Sequence, residues 1–335
     1  MNKVTEAQID RCDLEPVNFI GAIQPFGALL AFDVATFQLK FSSKNWASVF
    51  ETGMPDPKKF DFPESGAAQV SGEGWSGTAF RSQNLLVIEG ERGALGPSSR
   101  PEKPALERLH QAGSLKELLQ ICAGSVAELT GMDRVMIYRF HPDFHGEVVA
   151  ETVKPGAESF LGLHYPASDI PAPARAMFLK SWVRIIPNVT YSPVPIECVD
   201  GSAKTFDLGG SLLRAVSPIH LEYLQNMKVA ASCTISLQMN GELWGLVACH
   251  SGTPKMLGPE IRNACEMMGR LTSAHIAAKH ENDLVRIRDR YHQTHKALAA
   301  KMKTESDFGA ALTKFSPNLI DLISADGSSA ALYLG

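Results

Sequence analysis

Residues 229–251 read VAASCTISLQMNGELWGLVACHS. Two runs rich in apolar and β-branched residues flank Asn240–Gly241, and Asn-Gly between such runs is a strong hairpin signal. Alternation puts Ser232, Thr234 and Ser236 on one face of the first strand. The face taken by His250 on the second strand depends on the loop. A two-residue loop places His250 on the opposite face, whereas a three-residue loop with Gly241 in a left-handed bulge places it with the hydroxyls. The residues alone leave both open.

Outward from this hairpin the pattern changes. Pro259 opens a helical stretch that runs to about residue 303, and its second half, AKHENDLVRIRDRYHQTHKALAAKM (278–302), is charged and amphipathic. That is the character of a helix that bridges domains or pairs with its own copy. Upstream, SPIHLEYLQNM (217–227) has Ser217 at the N-cap and Pro218 at the first helical position. Its His220, Tyr223, Leu224 and Met227 share one face. Residues 187–210 (PNVTYSPVPIECVDGSAKTFDLGG) have no period, and ordered domains rarely keep so long a loop without a function. RVMIYRF (134–140) alternates as a strand, with GEVVAET (146–152) as its hairpin partner.

Further toward the N-terminus, AIQPFGALLAFD, QLKFSSKN and NLLVIEGER read as strands of a small first domain. Residues 51–78, rich in Gly, Pro, Ser and Asp, read as loops, and 93–104 as a linker. Helical spacing then begins with Leu106, Leu109, Leu115, Leu118, Leu119 and Ile121. The last residues (LIDLISADGSSAALYLG) return to apolar character, as the start of a further domain.

The length of 335 residues suggests about two domains, and the net charge of −4 offers no basic excess for nucleic acid. No apolar run approaches the ~20 residues of a membrane span, and the N-terminus lacks a signal peptide, so a cytoplasmic location is expected. The six cysteines form no CxxC pair. Phosphate-binding loops, dinucleotide fingerprints and nucleophile elbows are absent, and Cys249 and His250, being adjacent in a strand, face opposite ways. No catalytic activity is therefore expected. His141 and His145 have a metal-like spacing, but Pro142 and Asp143 argue for a loop and no third ligand suggests itself, so a solvated turn is the expectation.

What remains reads as a pocket. HYPASDIPAPARAMF (164–178) packs three prolines around Asp169, which stiffens the backbone there. The alternative is that Ser168 or Asp169 only caps a helix. Arg184 (WVRIIPN) and Arg214 (SLLRAVSP) sit among apolar residues, and two such guanidiniums suit a ligand with two carboxylate arms.

These motifs, PASDIP, VRIIP, LLRAVSPIHLEYLQNM and LWGLVACH, together with CDLEP…GAIQPFGALL near the N-terminus, resemble those of the bacteriophytochromes. The resemblance runs from about Cys12 to the end and is densest over 130–255. It implies an α+β chain with antiparallel sheets: an N-terminal segment and PAS domain (1–95), a GAF domain (105–280), a connecting helix (281–312) and the truncated start of a PHY domain (313–335). It also implies that the N-terminal segment threads the 187–210 loop as a knot, with Ile23 near the crossing. The implied cofactor is biliverdin IXα, a linear tetrapyrrole, bound by a thioether to Cys12. The rival attachment position, just before His220, holds Ile219.

By the same resemblance, the Asp169 carbonyl accepts hydrogen bonds from the pyrrole nitrogens, with Ile170 and Pro171 as neighbouring contacts. His220 lies beside the inner pyrroles. Arg184 and Arg214 hold propionates, assisted by Ser232 and Thr234, with Ser217 as a further contact. His250 bonds the D-ring carbonyl, and Tyr138, Tyr165 and Tyr223 enclose that ring. Phe178 stands where a tyrosine is usual, Phe26 where a histidine is usual, and PVNFIG and LGGSLLR also depart from the family pattern. The implied function is a red/far-red photoreceptor working by photoisomerisation at the C/D methine bridge, with a homodimer and a downstream output domain such as a histidine kinase as partners. The altered segments keep a second reading open, a GAF/PAS module without photochemistry that dimerises or senses a small ligand.

Overall fold

A computed structural model describes residues 17–93, 103–201, 205–305, 307–314 and 316–322. Cys12 and most of the final apolar stretch lie outside the described residues.

The described residues build two antiparallel sheets. The first has seven strands in the order β1-β11-β3-β2-β6-β5-β4. Its strands are β1 (Ala22–Ile23), β2 (Ala28–Asp33), β3 (Leu39–Ser43), β4 (Ala67–Gly72), β5 (Trp75–Ser82), β6 (Leu85–Arg92) and β11 (Val194–Cys198). The second, of six strands in the order β10-β12-β13-β7-β8-β9, contains β7 (Arg134–Phe140), β8 (Gly146–Val153), β9 (His164–Tyr165), β10 (Val183–Ile186), β12 (Ala231–Met239) and β13 (Glu242–Ser251).

Two sequence expectations change here. Residues 51–78 are not all loop, because β4 and the start of β5 lie within them. Gly77 obscured the pattern and is needed there, since a Cβ on it would come within 1.8 Å of the Glu89 carbonyl across the β5–β6 pair. The aperiodic 187–210 segment also carries β11, which leaves its neighbours in sequence to pair with β1 and β3.

Residues 17–24 are held between β11 on one side and residues 208–215 on the other. Ile23, fully buried, pairs with Val194 on one side and bridges to Arg214 on the other. The amide of Gln24 donates to the Leu213 carbonyl (2.7 Å), that of Ala215 to Ala22 (3.0 Å) and that of Leu208 to Asn18 (2.8 Å). The path expected to complete a knot involves residues 1–16 and 202–204, outside the described residues.

Among the described residues the helices longer than one turn are α1 (Lys103–Gln111), α2 (Leu115–Thr130), α3 (Ala172–Lys180), α4 (Pro218–Asn226), α5 (Pro259–Thr304) and α6 (Phe308–Thr313). Helix α2 starts on a Ser114 cap and stops at Gly131 in the left-handed conformation. It packs with the start of α5 on one face of the second sheet. Gly269 of α5 lies so near Ile235 that a Cβ would meet its Cγ2 at 2.5 Å. The chain divides into two compact units whose boundary falls at His275–Ile276, inside α5. In the second unit α5 exposes Leu284 and Ile287 at a three-residue spacing. No helix among the described residues is long and apolar enough to cross a membrane.

Candidate functional site

The hairpin at 229–251 decides which residues share a wall. Asn240 and Gly241 both take positive φ (54° and 81°) and connect Met239 directly to Glu242, a two-residue turn. The register then slips: Gln238 pairs with Leu243 but Leu237 pairs with Gly245, so Trp244 is an extra residue in β13. This bulge restores odd parity. His250 stands opposite Ser232 and Ala248 opposite Thr234, so His250 joins the hydroxyls.

The register extends the wall across the sheet. Arg184 pairs with Thr234 and Ile186 with Ser232 on one flank, while Arg134 pairs with His250, Met136 with Ala248 and Tyr138 with Leu246 on the other. Opposed residues in antiparallel strands share a face. Tyr138, Met136, Leu246 and Val148 cluster there with Tyr165, Ile170, Phe160 and Phe178. Gly146 lets the Tyr138 ring lie against the β8 backbone, since a Cβ would overlap that ring at 1.7 Å. Ser236 is used structurally, its hydroxyl donating to the carbonyls of Phe178 (2.7 Å) and Ser181 (3.0 Å).

Helix α4 and the 165–171 segment face this wall. Asp169 ends a short 3-10 turn, Ala167–Asp169, and α3 begins later with Pro171 at its N-cap position, so neither Ser168 nor Asp169 caps it. The Ile170 carbonyl accepts from Arg175 at 2.6 Å, which fixes the turn. Tyr223 donates its hydroxyl to Asp169 at 3.4 Å. Burial raises the Asp169 carboxyl above its usual range, and burial with the nearby Asp169 charge pushes Tyr138 up to about 12 and raises Tyr223. Ser217 sits at the α4 N-cap position but makes no side-chain capping bond.

His220 and His250 are the electrostatic centre. His220 keeps an exposed surface. Desolvation, then the Arg184 charge, lowers its imidazole to about 4. Desolvation, then Arg134, lowers His250 to about 4 as well. Both rings are therefore neutral at pH 7 and keep one lone-pair nitrogen each.

At the other end Arg184 donates to the carbonyls of Ser211 (3.0 Å), Leu212 (3.1 Å) and Arg214, and Arg214 donates to the Val17 carbonyl at 2.6 Å. Burial, and for Arg184 its neighbour Arg214, disfavours their charge. A guanidinium does not give up its proton in a protein, so the pair attracts anions instead. Glu89 lies close, bonded to Ser211 and to the Leu212 amide (3.1 Å), but burial raises it to about 7.

Among the described residues, three buried polar atoms of this wall find no hydrogen-bond partner: the Tyr138 hydroxyl, Nδ1 of His250 and Nε of Arg214. Orphaned groups of this kind are costly and suit a ligand that supplies their partners. A cleft of about 160 Å³ opens at the His250 end, lined by Arg134, Phe160, Met227 and Val229. A wider groove of about 910 Å³, lined by Thr78, Arg81, Lys180 and Arg262, contains none of the residues expected from sequence. The structure thus gathers Tyr138, Tyr165, Asp169, Ile170, Phe178, Arg184, Arg214, His220, Tyr223, Ser232, Thr234 and His250 around one face. Arg134 was missed, although the alternation of RVMIYRF places it in line with Tyr138. Tyr191, whose hydroxyl accepts from the Val216 amide at 2.8 Å, carried no sequence signal.

Residues 114–278 match the GAF domain family and residues 12–64 the PAS fold. The cyanobacterial phytochrome B of Nostoc is 33% identical over 97% of this chain and 48% of its own length. A bacteriophytochrome of Xanthomonas campestris is 33% identical over 95% of this chain and 55% of its own. The chain thus spans about half the length of these curated relatives. The phytochrome photosensory core module of Stigmatella aurantiaca superposes with a TM-score of 0.77 at 33% identity, over 93% of this chain and 69% of that one. A structural match at this identity over more than two thirds of that module, with relatives 33% identical along nearly the whole chain, places the chain in the phytochrome family.

Proposed function

We propose that this chain is a red/far-red photoreceptor module that binds biliverdin IXα covalently. The observation that carries it is the wall itself: two neutral imidazoles, a carboxyl among three tyrosines and two anion-seeking guanidiniums, with orphaned polar atoms along it. That set matches a long ligand with pyrrole N–H donors in the middle, a carbonyl at one end and two propionates. The bound bilin supplies light absorption and isomerisation at its C/D methine bridge. The Asp169 carbonyl accepts from pyrrole N–H groups, and neutral His220 accepts beside them. His250 in its Nδ1–H form donates to the terminal carbonyl, while Tyr138, Tyr165 and Tyr223 limit the space in which that ring turns. Arg184 and Arg214, with Ser217, Ser232 and Thr234, take the propionates.

Cys12 is the proposed anchor, since Ile219 removes the thiol at the other site. Its thiol would add across a vinyl group of the bilin, the S–H bond and the C=C π bond giving way to one C–S and one C–H bond with no leaving group. The thiols of Cys122 and Cys233 are raised, the first by burial to about 11 and the second by its bond to Cys249, which suits structural roles and not nucleophiles. No catalytic role is proposed. Signalling through a homodimer, by the GAF surface and the exposed Leu284–Ile287 stripe of α5, and through an output domain such as a histidine kinase, extends the same proposal.

Co-expression with a biliverdin source tests it. A coloured protein with reversible red/far-red difference spectra, and a denatured band fluorescent with zinc, is expected. Cys12→Ser should keep the colour in the native protein and lose it on denaturation. A colourless chain would leave the non-photochemical GAF/PAS reading in its place.

A further inference from the structure

His141 and His145 flank the β7–β8 turn, and the fold brings a third histidine to them. His164, the first residue of β9, pairs across the sheet with Glu147 of β8. One ring nitrogen from each of His141, His145 and His164 lies within 4.8 Å of the others. The ring centroids are 4.2, 5.3 and 5.9 Å apart. This is the third imidazole that sequence spacing could not reveal, because it lies 19 positions beyond His145.

Two carboxylates already address these rings. Glu147 lies 3.0 Å from Nε2 of His141, and Asp143 lies 2.5 Å from Nδ1 of His145. Carboxylate–imidazole pairs fix the ring orientation and raise the basicity of a ligating nitrogen, the usual support around a zinc-bound histidine. No lysine or arginine is ion-paired with Glu147 or Asp143 among the described residues, so their charge stays available to a cation. His141 and His145 are partly exposed and His164 is exposed, which leaves a path for an ion to enter.

We propose that His141, His145 and His164 form a binding site for a borderline divalent transition-metal ion, with zinc as the reference case, separate from the bilin wall. Three imidazoles favour zinc, nickel or copper over calcium or magnesium, which prefer oxygen ligands. A tetrahedral zinc holds its nitrogens at about 2.0–2.1 Å, which sets them about 3.3 Å apart and leaves a fourth position for water or a turned carboxylate. The ring nitrogens therefore close in by up to about 1.5 Å from their present spacing. The His141–His145 stack, at 5° between planes, must also open, because lone pairs lie in the ring plane and parallel planes cannot converge on one ion. Closure would tie the β7–β8 turn to β9, four residues before Asp169. The site does not depend on the bilin reading.

The test uses the full untagged chain, expressed without bilin, with zinc and cobalt as probes in competition against a chromophoric chelator. One equivalent should bind, and cobalt should give the visible absorption of a four-coordinate nitrogen site. His164→Ala should weaken binding more than about 100-fold, and Asp143→Asn by about 10–100-fold as expected for loss of an outer-shell partner. His280→Ala on α5 should leave it unchanged, and urea unfolding midpoints should confirm that all variants are folded. Binding that survives replacement of all three histidines, or no zinc binding at micromolar protein, would overturn the proposal.

Discussion

Along β12, Cys233, Ile235 and Leu237 point to the helices and are wholly enclosed, whereas Ser232 and Thr234, one residue away, point to the polar wall. The partner strands repeat the contrast, with Val135, Ile137, Val247 and Cys249 on the helix side and Arg134, Tyr138 and His250 on the other. The same backbone thus carries a dry core and a polar site on opposite faces. The dry face fixes the sheet, which frees the other face to hold orphaned polar atoms that would be costly in a core.

The most damaging way to test this contrast is to insert one alanine between Leu246 and Val247. Residues 247–251 then exchange faces, so Val247 and Cys249 turn to the wall and His250 to the helices. Each misplaced apolar side chain forfeits about 1.5–3 kcal/mol, so a few of them rival the whole stability of a domain. Deleting the bulge residue Trp244, by contrast, leaves Gly245 opposite Leu237 and His250 opposite Ser232. Loss of cooperative unfolding and of pigment uptake is expected of the insertion. A folded, pigment-binding insertion variant would show that strand alternation does not set the face.

Substitutions one residue apart sharpen the comparison. Ile235→Ala should lower stability by about 2–5 kcal/mol in urea titrations, with little change in the absorption maximum of surviving holoprotein. Thr234→Ala should cost about 1 kcal/mol or less and move the absorption instead. Equal stability losses for the two would erase the distinction between the faces.

Acid separates them as well. His220 and His250 have folded values near 4, below the ordinary 6.5. Above pH 6.5 both folded and unfolded forms are neutral, so neither ring affects stability. As pH falls from 6.5 toward 4 the unfolded chain takes up protons that the folded chain refuses, and stability falls. Pigment-free protein should lose stability across that window, and His250→Asn should flatten the slope. An unchanged slope in the variant would place the acid sensitivity elsewhere.

The smallest effect is expected at Phe178, which packs against the Tyr138 cluster on the wall. Phe178→Tyr adds one hydroxyl, worth about 0.5–1.5 kcal/mol where it meets an acceptor. A slightly higher urea midpoint with a small absorption shift is expected. No change in either would mean that the ring edge does not reach the site's polar network.

The sequence alone determined the features that depend on near neighbours. Period-two alternation gave the two faces of β12 and put Tyr138 in line within β7, Ser217–Pro218 marked the start of α4, Pro259 opened α5, and Asn240–Gly241 marked the hairpin. It also held the motifs of the family. Tertiary structure decided everything that depends on which distant segments meet. The Trp244 bulge chose the face of His250. Strand β11 left its loop for the first sheet, and small residues such as Gly77 made the β4–β5 hairpin read as loop. His164 reached His141 and His145 only because β9 pairs with β8. Alternation and caps are enforced by bonds and hydrogen bonds a few residues apart, so they leave a local pattern. Register, bulges and strand pairing are settled by packing between remote parts of the chain.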